Sequence, residues 1–96
     1  MIETPGHPVV LGEWKEAGSE APTVLIYGHY DVQPVDPLEE WLTPPFEPAV
    51  RGEDVFCRGA SDNKGQLFAV LSAFEAYLKT EERLPINVKV MLEGEE

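Results

Sequence analysis

A helical stripe between two strand-like segments constrains the fold of this chain more than any other feature. Apolar residues recur at helical spacing after Gln66, and this stripe comprises Leu67, Val70, Leu71, Phe74 and Leu78. A β-branched and aliphatic run at residues 23–27 precedes the helix, and an alternating run at residues 86–92 follows it. Strands joined by a crossover helix lie parallel in one sheet. The sequence therefore predicts an α/β fold, a mixed sheet with parallel core strands and at least one crossover helix.

The remaining segments predict smaller elements around this unit. Residues 9–14 predict a first strand, and residues 54–58 predict a strand of a hairpin that carries Cys57. The uninterrupted apolar character of residues 23–27 predicts a strand that is covered on both faces. Five prolines at residues 32–48 prevent regular structure, and the apolar residues of that loop predict that it packs on the body of the protein, namely Trp41, Leu42 and Phe46. Asp62 or Asn63 is predicted to cap the helix.

Composition limits the partners that such a chain can have. At 96 residues it forms one domain at most, and its net charge of −11 argues against a nucleic-acid or anionic-membrane partner. No segment has the apolar length of a membrane span, and the first residues lack the basic start and apolar core of a signal peptide. With its single cysteine, the chain is expected in the cytoplasm.

Two polar side chains follow the predicted strand at residues 23–27. His29 and Asp31 are two residues apart, so in an extended chain they point the same way. A carboxylate that contacts one imidazole nitrogen leaves the other nitrogen free to bind a metal ion. Glu95 and Glu96 follow the second core strand, and the carboxyl ends of parallel strands are where ligands bind in such sheets. The alternative for His29 is a strand-end histidine that is satisfied by a neighbouring acid.

Two further acidic groups are candidates for the same site. Asp62 lies on the loop between a predicted strand and the helix, where it either caps the helix or faces the site. Glu93, Glu95 and Glu96 repel one another unless a cation relieves them, although a solvated acidic turn is the common fate of such a run. Together these imidazole and carboxylate groups predict a divalent metal site, with Zn²⁺ as the expected ion and Mn²⁺ or Co²⁺ as alternatives.

The order and spacing of three stretches resemble a known family. They are YGHYDVQPVDPLEEWLTPPFEP, CRGASDNKGQ and LEGEE, within residues 9–96. In these stretches the sequence resembles the co-catalytic zinc metallopeptidases of peptidase family twenty, clan MH, and is most similar to their dipeptidase branch. The desuccinylase branch is the nearest alternative. The resemblance implies a partial zinc-peptidase catalytic domain, so that residues 1–96 are an incomplete catalytic domain without the dimerisation domain and the C-terminal part.

The resemblance also implies a role for individual residues. His29 would bind one Zn²⁺, and Asp31 would orient His29. Asp62 would bridge two Zn²⁺ ions through its carboxylate. The peptide bond that follows this aspartate, here between Asp62 and Asn63, is often cis in the family. The family often has aspartate where this chain has Asn63. Aligning the acidic run with the family makes Glu96 the general base. The other register makes Glu95 the base and Glu96 a metal ligand.

The function implied by the resemblance is hydrolysis of dipeptides by a water molecule activated by two Zn²⁺ ions. Deacylation of N-acyl amino acids by the same machinery is the alternative within the family, and a metal-free binding module is the alternative from another class. The resemblance implies that further metal ligands and a dimerisation domain come from later sequence in a homodimeric parent. We therefore expect these 96 residues alone to be catalytically inactive.

Overall fold

The computed structural model describes residues 1–96 and contains five strands and one long helix. A short 3₁₀ turn at Leu38–Glu40 and a wide π-helical turn at Ala60–Gly65 lie between these elements. None of the helices combines the length and the apolar character that crossing a membrane requires. The elements in chain order are β1 (Val10–Trp14), β2 (Thr23–His29), β3 (Ala49–Arg51), β4 (Asp54–Phe56), α1 (Gln66–Glu81) and β5 (Asn87–Glu93).

Strand β5 is the centre of a three-stranded mixed sheet with the order β1-β5-β2. It pairs antiparallel with β1 and parallel with β2, and β3 and β4 form a separate hairpin. The predicted α/β fold with a parallel pair and a crossover helix is therefore confirmed. In the parallel register Thr23 lies opposite Asn87 and His29 lies opposite Glu93. The carboxyl ends of β2 and β5 are consequently neighbours, as the site prediction required.

Helix α1 lies on one face of this sheet, and its apolar stripe is buried at Leu67, half-buried at Val70, Phe74 and Leu78, and exposed at Leu71. Leu67 of α1, Leu84 after the helix and Val88 of β5 form the buried apolar core. The helix begins after Gly65 without a side-chain cap, so the predicted cap at Asp62 or Asn63 is wrong. The side chain of Asn63 instead accepts a hydrogen bond from the backbone N–H of His29, at 3.3 Å. This contact ties the turn that precedes α1 to the end of β2.

The second face of the sheet is open. Leu25 and Tyr27 of β2 are 57% and 51% exposed, so the predicted cover on both faces of this strand is absent here. The reason is topological, because the one long helix covers a single face of the sheet. The chain measures 53 × 39 × 16 Å with a radius of gyration of 16.8 Å, whereas a compact domain of this length has about 12.5 Å. An incomplete catalytic domain stays a prediction.

The proline-rich loop is tied to the segment after β4 through Arg58, whose backbone N–H donates to the carbonyl of Pro45 at 2.7 Å and whose guanidinium donates to the carbonyl of Pro34 at 3.0 Å. Trp41 of the loop makes one bond within the loop and one contact with Arg58. The indole N–H of Trp41 donates to the carbonyl of Val35 at 2.8 Å, and the Arg58 guanidinium lies 5.0 Å from the centre of its ring. Leu42 and Phe46 are exposed, so the predicted packing of this loop is confirmed for Trp41 and wrong for the other two. Prolines cannot donate a backbone hydrogen bond, so a loop with this composition depends on side-chain anchors.

Two strand glycines allow a matched test of the packing of α1 on the sheet. A methyl group at Gly28 would meet the Leu67 side chain and would lie 2.6 Å from the Asn63 amide oxygen, whereas one at Gly12 would meet nothing within 4 Å. We expect Gly28→Ala to lower the free energy of unfolding by about 1–3 kcal/mol, because the added methyl overpacks a filled space. Gly12→Ala serves as the control, and urea denaturation that shows equal losses for both variants would contradict this account.

Candidate active site

His29 is the centre of the candidate site, at the last residue of β2. Its side chain is 6% exposed and both ring nitrogens face carboxylate oxygens. The distance from Nδ1 to Oδ1 of Asp31 is 3.2 Å, and that from Nε2 to Oδ1 of Asp62 is 3.0 Å. The structure therefore brings together three residues that the sequence analysis proposed from two separate loops.

The protonation of His29 follows from this arrangement. Burial lowers the pKa of the imidazole, but the hydrogen bonds to Asp62 and Asp31 act in the opposite direction, and the net result is a pKa above the usual value. A neutral imidazole has a single N–H and can donate to one of the two carboxylates only. The second contact therefore requires either a proton or another cation between nitrogen and oxygen. A borderline divalent ion such as Zn²⁺, which binds imidazole nitrogen and carboxylate oxygen, fits this donor set.

Asp62 lies in the wide turn that leads into α1. The peptide bond between Asp62 and Asn63 is cis, which confirms the feature that the resemblance implied. The backbone of Asp62 is extended inside an otherwise helical turn, and its side chain is 72% exposed. One carboxylate oxygen of Asp62 contacts His29, and the exposure leaves the group accessible to a ligand from solvent.

Asp31 links His29 to the acidic end of β5. Its Oδ1 contacts the imidazole, and its Oδ2 accepts a hydrogen bond from the backbone N–H of Glu96 at 3.1 Å. The side-chain amide of Gln33 lies 3.4 Å from both the backbone oxygen and the Oε2 of Glu96. Sequence reasoning did not find these links from Asp31 and Gln33 to Glu96. The prediction that β2 and β5 end side by side was the signal from which they could have been inferred.

The three glutamates at the end of β5 and in the turn after it do not converge on one point. The carboxylate of Glu93 accepts a hydrogen bond from the hydroxyl of Tyr27, and this bond raises the pKa of Tyr27 to about 12. The carboxylate of Glu95 lies against the backbone of Gly6 in the N-terminal loop. Of these three glutamates, Glu96 is the one whose backbone N–H donates a hydrogen bond to Asp31.

The donor atoms in this chain are few. No group of three or more His, Cys, Asp or Glu side chains is close enough to hold a metal ion. Nε2 of His29 and the carboxylate of Asp62 contact each other, while Asp31 occupies the other imidazole nitrogen. A tetrahedral Zn²⁺ site has four ligands, of which a catalytic site draws about three from the protein. The chain can therefore supply part of such a site.

Comparison with known proteins identifies the family. The model described as "Peptidase family M20/M25/M40" matches residues 25–96, three quarters of the chain. The chain belongs to this family. The resemblance stated from the sequence motifs is therefore confirmed, and the matched region contains every residue of the candidate site.

Members of the M20/M25/M40 family resemble this chain over nearly its whole length. Human Beta-Ala-His dipeptidase is 40% identical over 93% of the chain, and a succinyl-diaminopimelate desuccinylase from Aromatoleum aromaticum is 39% identical over 91% of it. The crystal structure of an M20 family metallo-carboxypeptidase from Sulfolobus solfataricus superimposes with a TM-score of 0.88 at 47% identity, over 99% of the chain. The chain spans 17%, 23% and 21% of the lengths of these three proteins.

Proposed function

We propose that this chain forms part of the active site of a metal-dependent hydrolase that cleaves dipeptides with two Zn²⁺ ions. The observation that carries the proposal is the convergence of His29, Asp31 and Asp62 at the carboxyl ends of the parallel strands β2 and β5. The backbone N–H of Glu96 donates a hydrogen bond to the Asp31 carboxylate. The match to the M20/M25/M40 family and the similarity to Beta-Ala-His dipeptidase support the choice of reaction and substrate.

His29 and Asp62 are the proposed metal ligands. Nε2 of His29 would bind one ion, and the exposed carboxylate of Asp62 would bridge two. When bound, Zn²⁺ supplies Lewis-acid chemistry, because it lowers the pKa of water and polarises a carbonyl. Asp31 would accept a hydrogen bond from Nδ1–H of His29, which fixes the tautomer with a free Nε2 and holds the ring in place.

Glu96 is the proposed general base. Its carboxylate would take a proton from the water molecule that attacks the scissile carbonyl and would deliver that proton to the nitrogen of the leaving amine. The hydrogen bond from the backbone N–H of Glu96 to Asp31 supports this assignment, since Asp31 is in turn in contact with His29. The contact of Glu95 with Gly6 supports it also, because that side chain is directed to the N-terminal loop.

Hydrolysis of an N-acyl amino acid is the second candidate function. It is supported by the similarity to succinyl-diaminopimelate desuccinylase, at nearly the same identity as the dipeptidase. Both reactions hydrolyse an amide bond and need the same proton transfers. The two candidates differ in the substrate group next to that bond, so a substrate panel separates them.

We also propose that these 96 residues alone are inactive, and that a longer, homodimeric protein carries the activity. Two donors, the imidazole of His29 and the carboxylate of Asp62, bind a metal ion weakly, because each missing ligand must be replaced by water. The experiment is elemental analysis of zinc after gel filtration, on this chain and on a protein that continues it to the length of its relatives. We expect two ions per longer chain, almost none in the 96 residues, and hydrolysis of dipeptides by the longer chain alone.

The substrate panel then decides between the candidates. Faster turnover of dipeptides than of N-succinyl and N-acetyl amino acids supports the dipeptidase, and the opposite order supports the deacylase. A longer protein that is folded but holds no metal would refute both and would favour a metal-free binding module. Substantial hydrolysis by the purified 96-residue chain would refute the proposed inactivity.

A further inference from the structure

Tyr30 lies between the two site residues His29 and Asp31 in the sequence, and its hydroxyl forms its hydrogen bond elsewhere. Its backbone N–H donates to the carbonyl of Glu93 at 2.8 Å, which extends the β2–β5 pairing by one hydrogen bond beyond the last strand residue. Its hydroxyl donates to the carbonyl of Pro8 at 2.7 Å. The residue therefore connects β2 to the acidic turn after β5 and to the N-terminal loop at the same time.

The ring of Tyr30 packs on the backbone of Gly94. A Cβ placed at Gly94 would lie 2.6 Å from Cε2 and from the hydroxyl oxygen of Tyr30, closer than real side-chain atoms approach. Gly94 is also buried, although it lies in a turn of acidic residues. Glycine at this position thus allows the hydroxyl end of an aromatic ring to approach the backbone of the turn and to shield it from water.

The acidic turn is held on both sides of this contact. Before Gly94, the carboxylate of Glu93 accepts a hydrogen bond from Tyr27, the tyrosine on the other side of His29. After Gly94, the backbone N–H of Glu96 donates to Asp31. The few residues between Glu93 and Glu96 therefore limit how far Glu96 can move. Tyr30 contacts Gly94, which lies between these two residues.

We propose that Tyr30 is a positioning residue, whose ring on Gly94 and backbone bond to Glu93 hold the acidic turn so that Glu96 stays beside Asp31. The effect on catalysis rests on the proposed function, in which Glu96 is the base. The effect on the turn does not depend on it. The N-terminal loop takes part through the bond from Tyr30 to Pro8 and the contact of Glu95 with Gly6.

NMR of this chain tests the effect on the turn. In Tyr30→Leu we expect the Gly94 α-protons to lose the shift caused by the aromatic ring. We expect the Glu96 amide to exchange with solvent roughly two- to tenfold faster, the change that corresponds to one weakened hydrogen bond. Tyr30→Phe keeps the ring and should retain both signatures. Tyr77→Leu, which removes an exposed tyrosine of α1, is the control.

Unchanged exchange of the Glu96 amide in Tyr30→Leu would overturn the proposal. If that variant loses its far-UV circular dichroism, Gly94→Ala decides instead, because the added methyl displaces the ring while Tyr30 is intact. Faster exchange at Glu96 then supports the proposal, and unchanged exchange refutes it.

Kinetics of the longer protein test the effect on catalysis. We expect Tyr30→Leu to lower kcat by roughly 10- to 100-fold with KM and zinc content unchanged, because the base is misplaced while substrate and metal contacts remain. A loss of zinc together with activity would indicate a merely structural role and would overturn the catalytic part. An inactive wild-type protein would refute the proposed function, and the NMR result would still decide whether Tyr30 orders the turn.

Discussion

Replacing His29 by alanine is expected to remove metal binding and activity from a protein that continues this chain to the length of its relatives. The imidazole is 6% exposed and its two nitrogens contact Asp31 and Asp62, so its removal takes the nitrogen donor out of the site. Loss of a group that merely orients a metal ligand costs about 10- to 100-fold in affinity. We expect that range for Asp31→Asn and a larger loss for His29→Ala. Competition with a zinc-binding dye measures both.

His7→Ala is the matched control for this experiment. His7 is the other of the two histidines in the chain, it is exposed, and it lies in the N-terminal loop. We expect its replacement to leave zinc affinity unchanged, since its imidazole lies outside the site. Equal losses in both histidine variants, or an undiminished zinc affinity in His29→Ala, would remove His29 from the set of ligands. Circular dichroism of each variant separates loss of a ligand from loss of the fold.

Local patterns predicted the elements that position the site. The stripe of α1 depends on residues within one helix, and the parallel pairing of β2 with β5 follows from the crossover helix between them, which returns the chain to the end of the sheet where β2 began. Parallel pairing is sufficient to bring the carboxyl ends of both strands together, and there His29 lies opposite Glu93. Motif resemblance added the cis peptide bond between Asp62 and Asn63.

The predictions that were wrong depend on long-range contacts. A cap at Asp62 or Asn63 is a reasonable local choice, but the side chain of Asn63 makes a hydrogen bond with His29, 34 residues earlier. Tertiary contacts of this kind override local preferences. The continuous apolar run of β2 predicted cover on both faces, yet Leu25 and Tyr27 are exposed on the side without a helix. The apolar pattern of a strand indicates which side chains favour burial. It does not indicate which segment of the protein packs on them.

The directions of the three glutamate side chains could not be predicted either. Their spacing is consistent with three groups on one site, but the structure directs Glu93 to Tyr27 and Glu95 to Gly6. Both contacts involve residues more than 60 positions away in the sequence. A turn has no periodic pattern from which side-chain directions follow, so these directions depend on the packing of the completed fold.

Leu67→Ala is expected to destabilise this chain more than any other substitution proposed for its core. Leu67 is buried, and it packs at Gly28, next to His29. Removing its buried methyl groups lowers the free energy of unfolding by about 2–5 kcal/mol, because burial is lost and a cavity remains. Few other buried apolar side chains are present to compensate, namely Leu84 and Val88. Urea denaturation followed by circular dichroism measures the change.

Phe68→Ala is the control, because Phe68 is the next residue of α1 and is 75% exposed. We expect its loss to change the free energy of unfolding by less than about 0.5 kcal/mol. If Leu67→Ala is unfolded without urea, Leu67→Met provides a milder variant, with an expected loss below about 1.5 kcal/mol. A larger effect of Phe68 than of Leu67 would mean that the helix packs on the sheet by a different face, since consecutive residues point about 100° apart. In that case Leu67 could not support Gly28, and the position of His29 would need another explanation.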